Sequence, residues 1–139
     1  MKLHTSLMLL FCLFLFACTG INNTAPKEKP ALNEPFDPFF KKFESDSIFQ
    51  KSRVKFPLKL IVTGDEGDKD SIKYIPQADW KFENLLVNQQ EKSIVKKYRI
   101  SDNEMRIQFQ MEDTGIQTER FFKRKNGAWW LVLVKDESD

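Results

Sequence analysis

Cys18 carries the one chemistry that this sequence spells out residue by residue. It follows Leu15-Phe16-Ala17, and ahead of these lie the positive Met1-Lys2 and the apolar run from Leu7 to Phe16. That order is the layout of a bacterial lipid-acceptor signal: a charged start, an apolar stretch too short to span a bilayer as a mature helix, and a small residue before the scissile bond. A thiol is required there because lipid transfer makes a thioether on sulfur. The mature chain is expected to begin at an acylated Cys18, with the lipid bilayer as its first partner. Each buried methylene contributes about 0.8 kcal/mol, so several acyl chains hold durably. An ordinary secretory peptide or an uncleaved anchor would leave Cys18 without that role, and Phe16 is bulkier than such signals usually carry.

The rest of the inventory removes whole classes of chemistry. Cys12 lies within the apolar run and His4, the only histidine, lies ahead of it. The mature chain then has no imidazole and no free thiol, which excludes an intramolecular disulfide, Ser-His-Asp and Cys-His catalysis, and zinc sites built on His or Cys. Catalysis would have to use carboxylates such as Asp46, Asp79 or Glu119, or lysines and hydroxyls. No Gly-rich phosphate cradle, metalloprotease helix or nucleophile elbow occurs, so no cofactor is expected. Asp65-Glu66-Gly67-Asp68-Lys69-Asp70 has oxygen ligands at Asp68 and Asp70. Its glycine is misplaced for a calcium loop, Lys69 intrudes and no bidentate glutamate follows, so a solvated turn is expected and no metal.

Five side chains are candidates for ligand contact. Arg53 sits between Phe49 and Phe56, where its fork could clamp a carboxylate or phosphate, or pair with Asp46 or another local acid and tie helix to strand. Trp80, Tyr98 and Trp130 could form an aromatic wall for a flat or sugar-like ligand, or fill a core. Lys96 would meet an anionic ligand, or lay its stem along the sheet edge.

The elements that position these residues follow from periodicity. Phe36, Phe39, Phe40 and Phe43 fall at i, i+3, i+4 and i+7, the stripe of a helix, with Asp37, Lys41, Lys42 and Glu44 assigned to the other side. Ser45 or Asp46 can cap a second short helix through Ser52 that carries Ile48 and Phe49 inward. Pro57 forbids further helix and starts a strand through Leu58, Leu60 and Val62. Ser71 to Pro76 is a short strand or an extended connection. The spacing of Trp80, Leu85 and Leu86 predicts a helix over 76–86. Strands follow: Ile94, Lys96, Tyr98 and Ile100 are placed on an inward face, and Met105, Ile107, Phe109 and Met111 alternate with polar residues. Asn126-Gly127 joins two strands in a tight hairpin. In the last strand Trp129, Leu131 and Leu133 are assigned to one face and Trp130, Val132 and Val134 to the other.

The chain thus divides into a signal over 1–17, a flexible tether over 18–34 with few apolar residues, and one domain over 35–139. Loss of the signal removes one lysine and leaves 21 basic against 20 acidic side chains, a balance that gives no argument for nucleic acid. Helices first and antiparallel strands after them predict an α+β fold, with N-terminal helices packed on a curved antiparallel sheet.

Phe39-Phe40-x-x-Phe43-x-x-Asp46-x-x-Phe49-Gln50-x-x-Arg53-x-x-Phe56-Pro57-Leu58 resembles the opening of a lipoprotein group common in Bacteroidota and catalogued as a domain of unknown function. Asp79-Trp80, Thr114-Gly115-Ile116, Arg120-Phe121-Phe122 and Gly127-x-Trp129-Trp130-Leu131 look like its later landmarks. The likeness covers Phe36 to Val134. It implies the cone-shaped fold of the nuclear transport factor two-like superfamily, in which a bent sheet wraps helices around a pocket, and it implies no activity. Enzymes of that superfamily commonly use an Asp or His in the pocket, and the mature chain has no histidine to offer.

Two functional classes follow. One is a membrane-tethered, non-enzymatic module that binds a small molecule or a protein. The other is an isomerase or hydrolase working through a buried carboxylate in the cone. A buried acid without a basic partner favours the enzyme, and a filled cone leaves protein contact instead. Pairing of two copies through the sheet face is a further expectation, with Phe121 and Val132 outward. Thr19 after Cys18, in place of an aspartate, resembles sorting to the outer membrane, with the domain facing the periplasm.

Overall fold

The computed structural model describes residues 33–64, 68–85 and 93–138. The signal, Cys18 and the tether as far as residue 32 lie outside the described residues, as do 65–67 of the acidic turn and Leu86. Two helices, α1 (Phe36–Ser45) and α2 (Ser47–Ser52), precede six strands. These are β1 (Val54–Val62), β2 (Ser71–Ile75), β3 (Ser93–Ser101), β4 (Glu104–Met111), β5 (Gln117–Lys125) and β6 (Ala128–Asp136). They form one sheet in the order β2-β1-β6-β5-β4-β3, antiparallel except for the β1–β6 pair. The α+β layout expected from the sequence is the one observed. Irregular registers interrupt the β1–β6, β3–β4 and β5–β6 pairs, and such bulges bend and twist a sheet.

α1 buries its four phenylalanines as the spacing predicts. Asp46 ends α1 and starts α2: its N–H donates to the Lys42 carbonyl, and its Oδ1 accepts from the N–H groups of Ile48 at 3.0 Å and Phe49 at 2.9 Å. The core joins these rings to Val54, Leu58, Met105, Ile107, Phe109, Phe122, Trp129 and Leu131. Phe122 of β5 is its centre, with ring centroids of Phe36, Phe39, Phe40 and Phe43 at 5.5, 5.7, 6.0 and 5.3 Å, all near edge-on. Edge-to-face pairs are favoured by the ring quadrupole, each by about 0.5–1.5 kcal/mol beyond the area they bury.

Several expectations are corrected. Ile48 is 83 % exposed, because the single turn and a half of α2 turns Phe49 and Gln50 to the core and leaves Ile48 outside. Glu44 is fully buried, since it follows Phe40 by four residues and so shares its face. Residues 76–85 form a turn and irregular chain in place of the predicted helix. Their backbone groups are satisfied elsewhere: Asp79 N–H by Pro76, Glu83 N–H and carbonyl by the Gln50 amide, and Leu85 N–H by the Glu44 carboxylate.

The faces of two strands also differ from expectation. Val95, Lys97 and Arg99 lie opposite Phe109, Ile107 and Met105, so they take the helix side of β3, while Ile94, Lys96, Tyr98 and Ile100 take the outer side. A charged residue is tolerated there because the Lys97 ammonium donates to Asp37 of α1 at 2.6 Å and lies 5.2 Å from the Phe40 ring centre. In β6, Phe122 pairs with Leu131 but Phe121 pairs with Leu133, which leaves Val132 as a bulge. The alternation reverses there: Trp129, Leu131 and Val134 reach the core and Leu133 faces out with Phe121.

Candidate functional site

The interior between α1 and the sheet is filled by phenylalanine. Where charge enters it, the charge is paired. Arg120 of β5 is 2 % exposed, and its Nη1 donates to Glu44 Oε1 at 3.2 Å while its Nη2 donates to Glu83 Oε2 at 2.5 Å. Glu44 Oε2 accepts from Leu85 N–H at 2.5 Å. Burial pushes the Glu44 carboxyl above its ordinary value, and the Arg120 charge and the Leu85 N–H oppose that rise. Gln50 completes the cluster. Its Nε2 donates to the carbonyls of Phe43 at 3.1 Å and Glu83 at 2.8 Å, and its Oε1 accepts from Glu83 N–H at 3.3 Å.

The three carboxylates considered for catalysis are all elsewhere. Asp46 is a helix cap, Asp79 is exposed in the 76–79 turn, and Glu119 is buried on the outer side of the sheet, where Arg106 pairs with it at 3.2 Å. Glu44 is the acid that sequence reasoning missed. Its place four residues after Phe40 was the available signal, masked by the habit of assigning charges to the wet side of a helix.

Arg53 caps the end of α2 just ahead of β1 and is 8 % exposed. Its guanidinium grips Glu34 through Nη1 and Nη2 at 3.1 and 3.2 Å and donates to the Trp129 carbonyl at 3.3 Å. Phe49, Phe39 and Trp130 ring it at 4.8, 5.8 and 5.8 Å. The local acid is therefore Glu34, not Asp46. Glu34, assigned to the tether by composition, belongs to the domain: it also accepts from Trp129 N–H at 3.0 Å, and its own N–H donates to Gly127.

Of the sequence candidates only Arg53 and Trp130 are brought together. Trp80 packs edge-on against Phe56 at 6.0 Å on the helix side. Tyr98 lies on the outer side, bonded to Gln108 at 3.1 Å and covered by the Arg106 guanidinium at 4.6 Å. β3 and β6 are three strand spacings apart, about 14 Å, so Tyr98 and Trp130 do not share a wall. Lys96 is exposed on the same outer side as Tyr98.

Depressions mark the surface of the described residues. One of about 270 Å³ lies between Pro35, Asp37, Arg99 and Arg124. A second, about 480 Å³, runs past Ile48, Trp80 and Phe82. A third, about 600 Å³, opens at the mouth of the domain between Phe82, Glu83, Leu85, Phe109, Ile116 and Thr118. Among the described residues, no group of three or more His, Cys, Asp or Glu is placed to hold a metal ion, and no helix is long and apolar enough to cross a membrane.

Solved structures of similar shape come from Bacteroides. An NTF2-like protein of Bacteroides fragilis is 20 % identical over 80 % of this chain, with a TM-score of 0.58. The match covers 50 % of that protein, so this chain spans half its length. A cystatin-like protein of Bacteroides caccae is 20 % identical over 78 % of this chain and 79 % of its own, with a TM-score of 0.54. A Bacteroides uniformis protein is 18 % identical over 77 % and 78 %, with a TM-score of 0.51. The comparison with curated proteins gives no match. Those likenesses assign the fold, which is the NTF2-like, cystatin-like one. A family model described only by the suffix "-like" matches residues 34–137, and the chain belongs to the family of that model.

Proposed function

We propose that this chain is a lipid-anchored protein of the bacterial cell envelope, one of the Bacteroidota lipoprotein group that it resembles, and that its domain is a binding module working at its surface. The single observation that supports surface binding is the set of four α1 rings closed on Phe122, which occupies the space where a cone pocket would lie. The paired state of Glu44 and Glu119 supports the same reading, because each has an arginine within 3.2 Å. The lipid would be carried on Cys18 and the domain would face the periplasm from the outer membrane.

Two surfaces serve such a module: the depression at the domain mouth and the outer sheet face. The outer face carries Ile72, Tyr74 and Ile100 as exposed apolar residues, with Phe121 and Leu133 between them. It suits a second copy of the chain or a partner protein.

Labelling cells with radioactive palmitate tests the anchor. The wild-type protein takes up label and sediments with membranes, and Cys18→Ser abolishes both; equal labelling of the two overturns the anchored reading. Native mass spectrometry of the detergent-released protein tests the sheet face. Dimers that Tyr74→Asp disperses support it, and monomer at high concentration counts against it.

A further inference from the structure

We propose that Arg120 is the anion-binding group of a site for an apolar monocarboxylate at the domain mouth, and that Glu83 occupies this site intramolecularly. The proposal rests on the reading of the domain as a binding module and names the ligand class of one surface.

A guanidinium 2 % exposed is a built feature, since an arginine that deep must be fully paired, and one of its partners, Glu83, lines the apolar depression. Its two acids are unlike. Glu44 is fully buried and fixed by α1 and by Leu85 N–H. The Glu83 side chain is 64 % exposed and comes from chain with no helix or strand of its own. The Glu44 contact is permanent architecture. The Glu83 contact is a carboxylate brought to Arg120 Nη2 by a solvent-exposed side chain, the place that a free ligand carboxylate would take. An ion pair with one partner that exposed is screened by water and salt, so it is replaceable.

The tail of the ligand has a place as well. Thr118 lines the 600 Å³ depression and precedes Arg120 by two residues, so both project from the same side of β5. Phe109 pairs with Thr118 across β4, and Phe82, Leu85 and Ile116 supply the remaining apolar walls. The volume lies within the roughly 300–1,000 Å³ range of small-molecule sites. A carboxylate on Arg120 with a short apolar body over Phe109 and Ile116 satisfies both halves. A cation or an uncharged polar ligand satisfies neither.

The test uses the full chain in lipid nanodiscs, titrated calorimetrically with 3-phenylpropanoate or with 3-phenylpropanol, and with empty nanodiscs subtracted. Glu83→Gln removes the internal competitor and is expected to tighten the acid at least tenfold over wild type while leaving the alcohol unchanged. Ile116→Asn added to that variant is expected to weaken the acid severalfold. In wild type, saturating acid is expected to shift the amide resonances of Glu83 and Leu85, a readout that does not depend on how any variant folds. Equal affinity of acid and alcohol, or no shift at either amide, overturns the proposal. Neither result bears on the dimers that Tyr74→Asp disperses or on palmitate uptake at Cys18, so this proposal and the reading it rests on fail separately.

Discussion

Glu34 and Arg53 meet in a two-pronged ion pair that joins the chain entering α1 to the chain leaving α2, with both oxygens of the acid and both terminal nitrogens of the base engaged. The pair is almost wholly enclosed, the side chains being 15 % and 9 % exposed. Glu34 also takes the Trp129 N–H, and the Trp129 indole donates to the Glu34 carbonyl at 2.9 Å. One acid at the threshold of the domain thus fastens its first helix to its last strand.

Removing either member leaves the other buried and unpaired, which costs about 3–5 kcal/mol. Glu34→Ala and Arg53→Met are both expected to lower the urea midpoint strongly. The double variant is expected to lose much less than the sum of the two. Additive losses in such a cycle would show that the two residues act independently.

Phe122→Ala is expected to cost about 3–5 kcal/mol, because it removes the ring on which four others close and leaves a cavity that α1 cannot fill without moving. Phe122→Leu, closer in volume, should recover part of that loss. Thermal unfolding measures both, and a loss below about 1 kcal/mol for the alanine variant would mean that the rings repack.

Asn126 and Gly127 both have positive φ, 53° and 79°, as the sequence pair predicts for a two-residue turn joining β5 to β6. Gly127→Ala forces a Cβ into the left-handed region at a cost of about 1–2 kcal/mol. Gly127→Asn, which tolerates that region, is expected to cost less. Unfolding in urea ranks the two.

What was legible in the sequence was what is local. The phenylalanine stripe of α1, the Asp46 cap, the Met105-Ile107-Phe109 alternation and the Asn126-Gly127 turn each depend on neighbours within a few residues, and each is observed. Apart from Glu44 and Ile48, whose faces follow from local helix geometry, the misassigned parts depend on distant partners. Residues 76–85 have helical spacing, but Gln50 and Glu44 take their backbone groups. β3 carries apolar residues on its outer side because Lys97 is needed opposite Ile107, where it reaches Asp37 across the sheet edge. The bulge at Val132 reverses β6 with no glycine or proline to announce it. Arg120 appeared only as part of a likeness, since nothing near it in sequence points to Glu44 76 residues earlier.

Burial of Glu44 makes one contribution to the pH dependence of the fold. Its carboxyl titrates above the ordinary value of 4.5 in the folded state, chiefly because burial disfavours the charge. Between the unfolded value and that raised one the native state binds more protons than the unfolded state, so unfolding free energy falls as pH rises through this window. The relative stabilisation is complete below about 4.5 and gone above the raised value. Glu137 acts in the opposite sense: its hydrogen bonds from Lys135 and Gln117 hold its carboxyl low, so its contribution is present above 4.5 and lost as pH falls through its lowered value. Glu44→Gln keeps an acceptor for Leu85 N–H but cannot ionise. Its stability is therefore expected to lack the decline that wild type shows as pH rises above 4.5 through the raised Glu44 value. Parallel slopes for the two proteins over this range in urea titrations would place the titration on another group. Glu44→Ala, which strips Arg120 of its buried partner and Leu85 of its acceptor, is expected to be the least stable of the three at every pH.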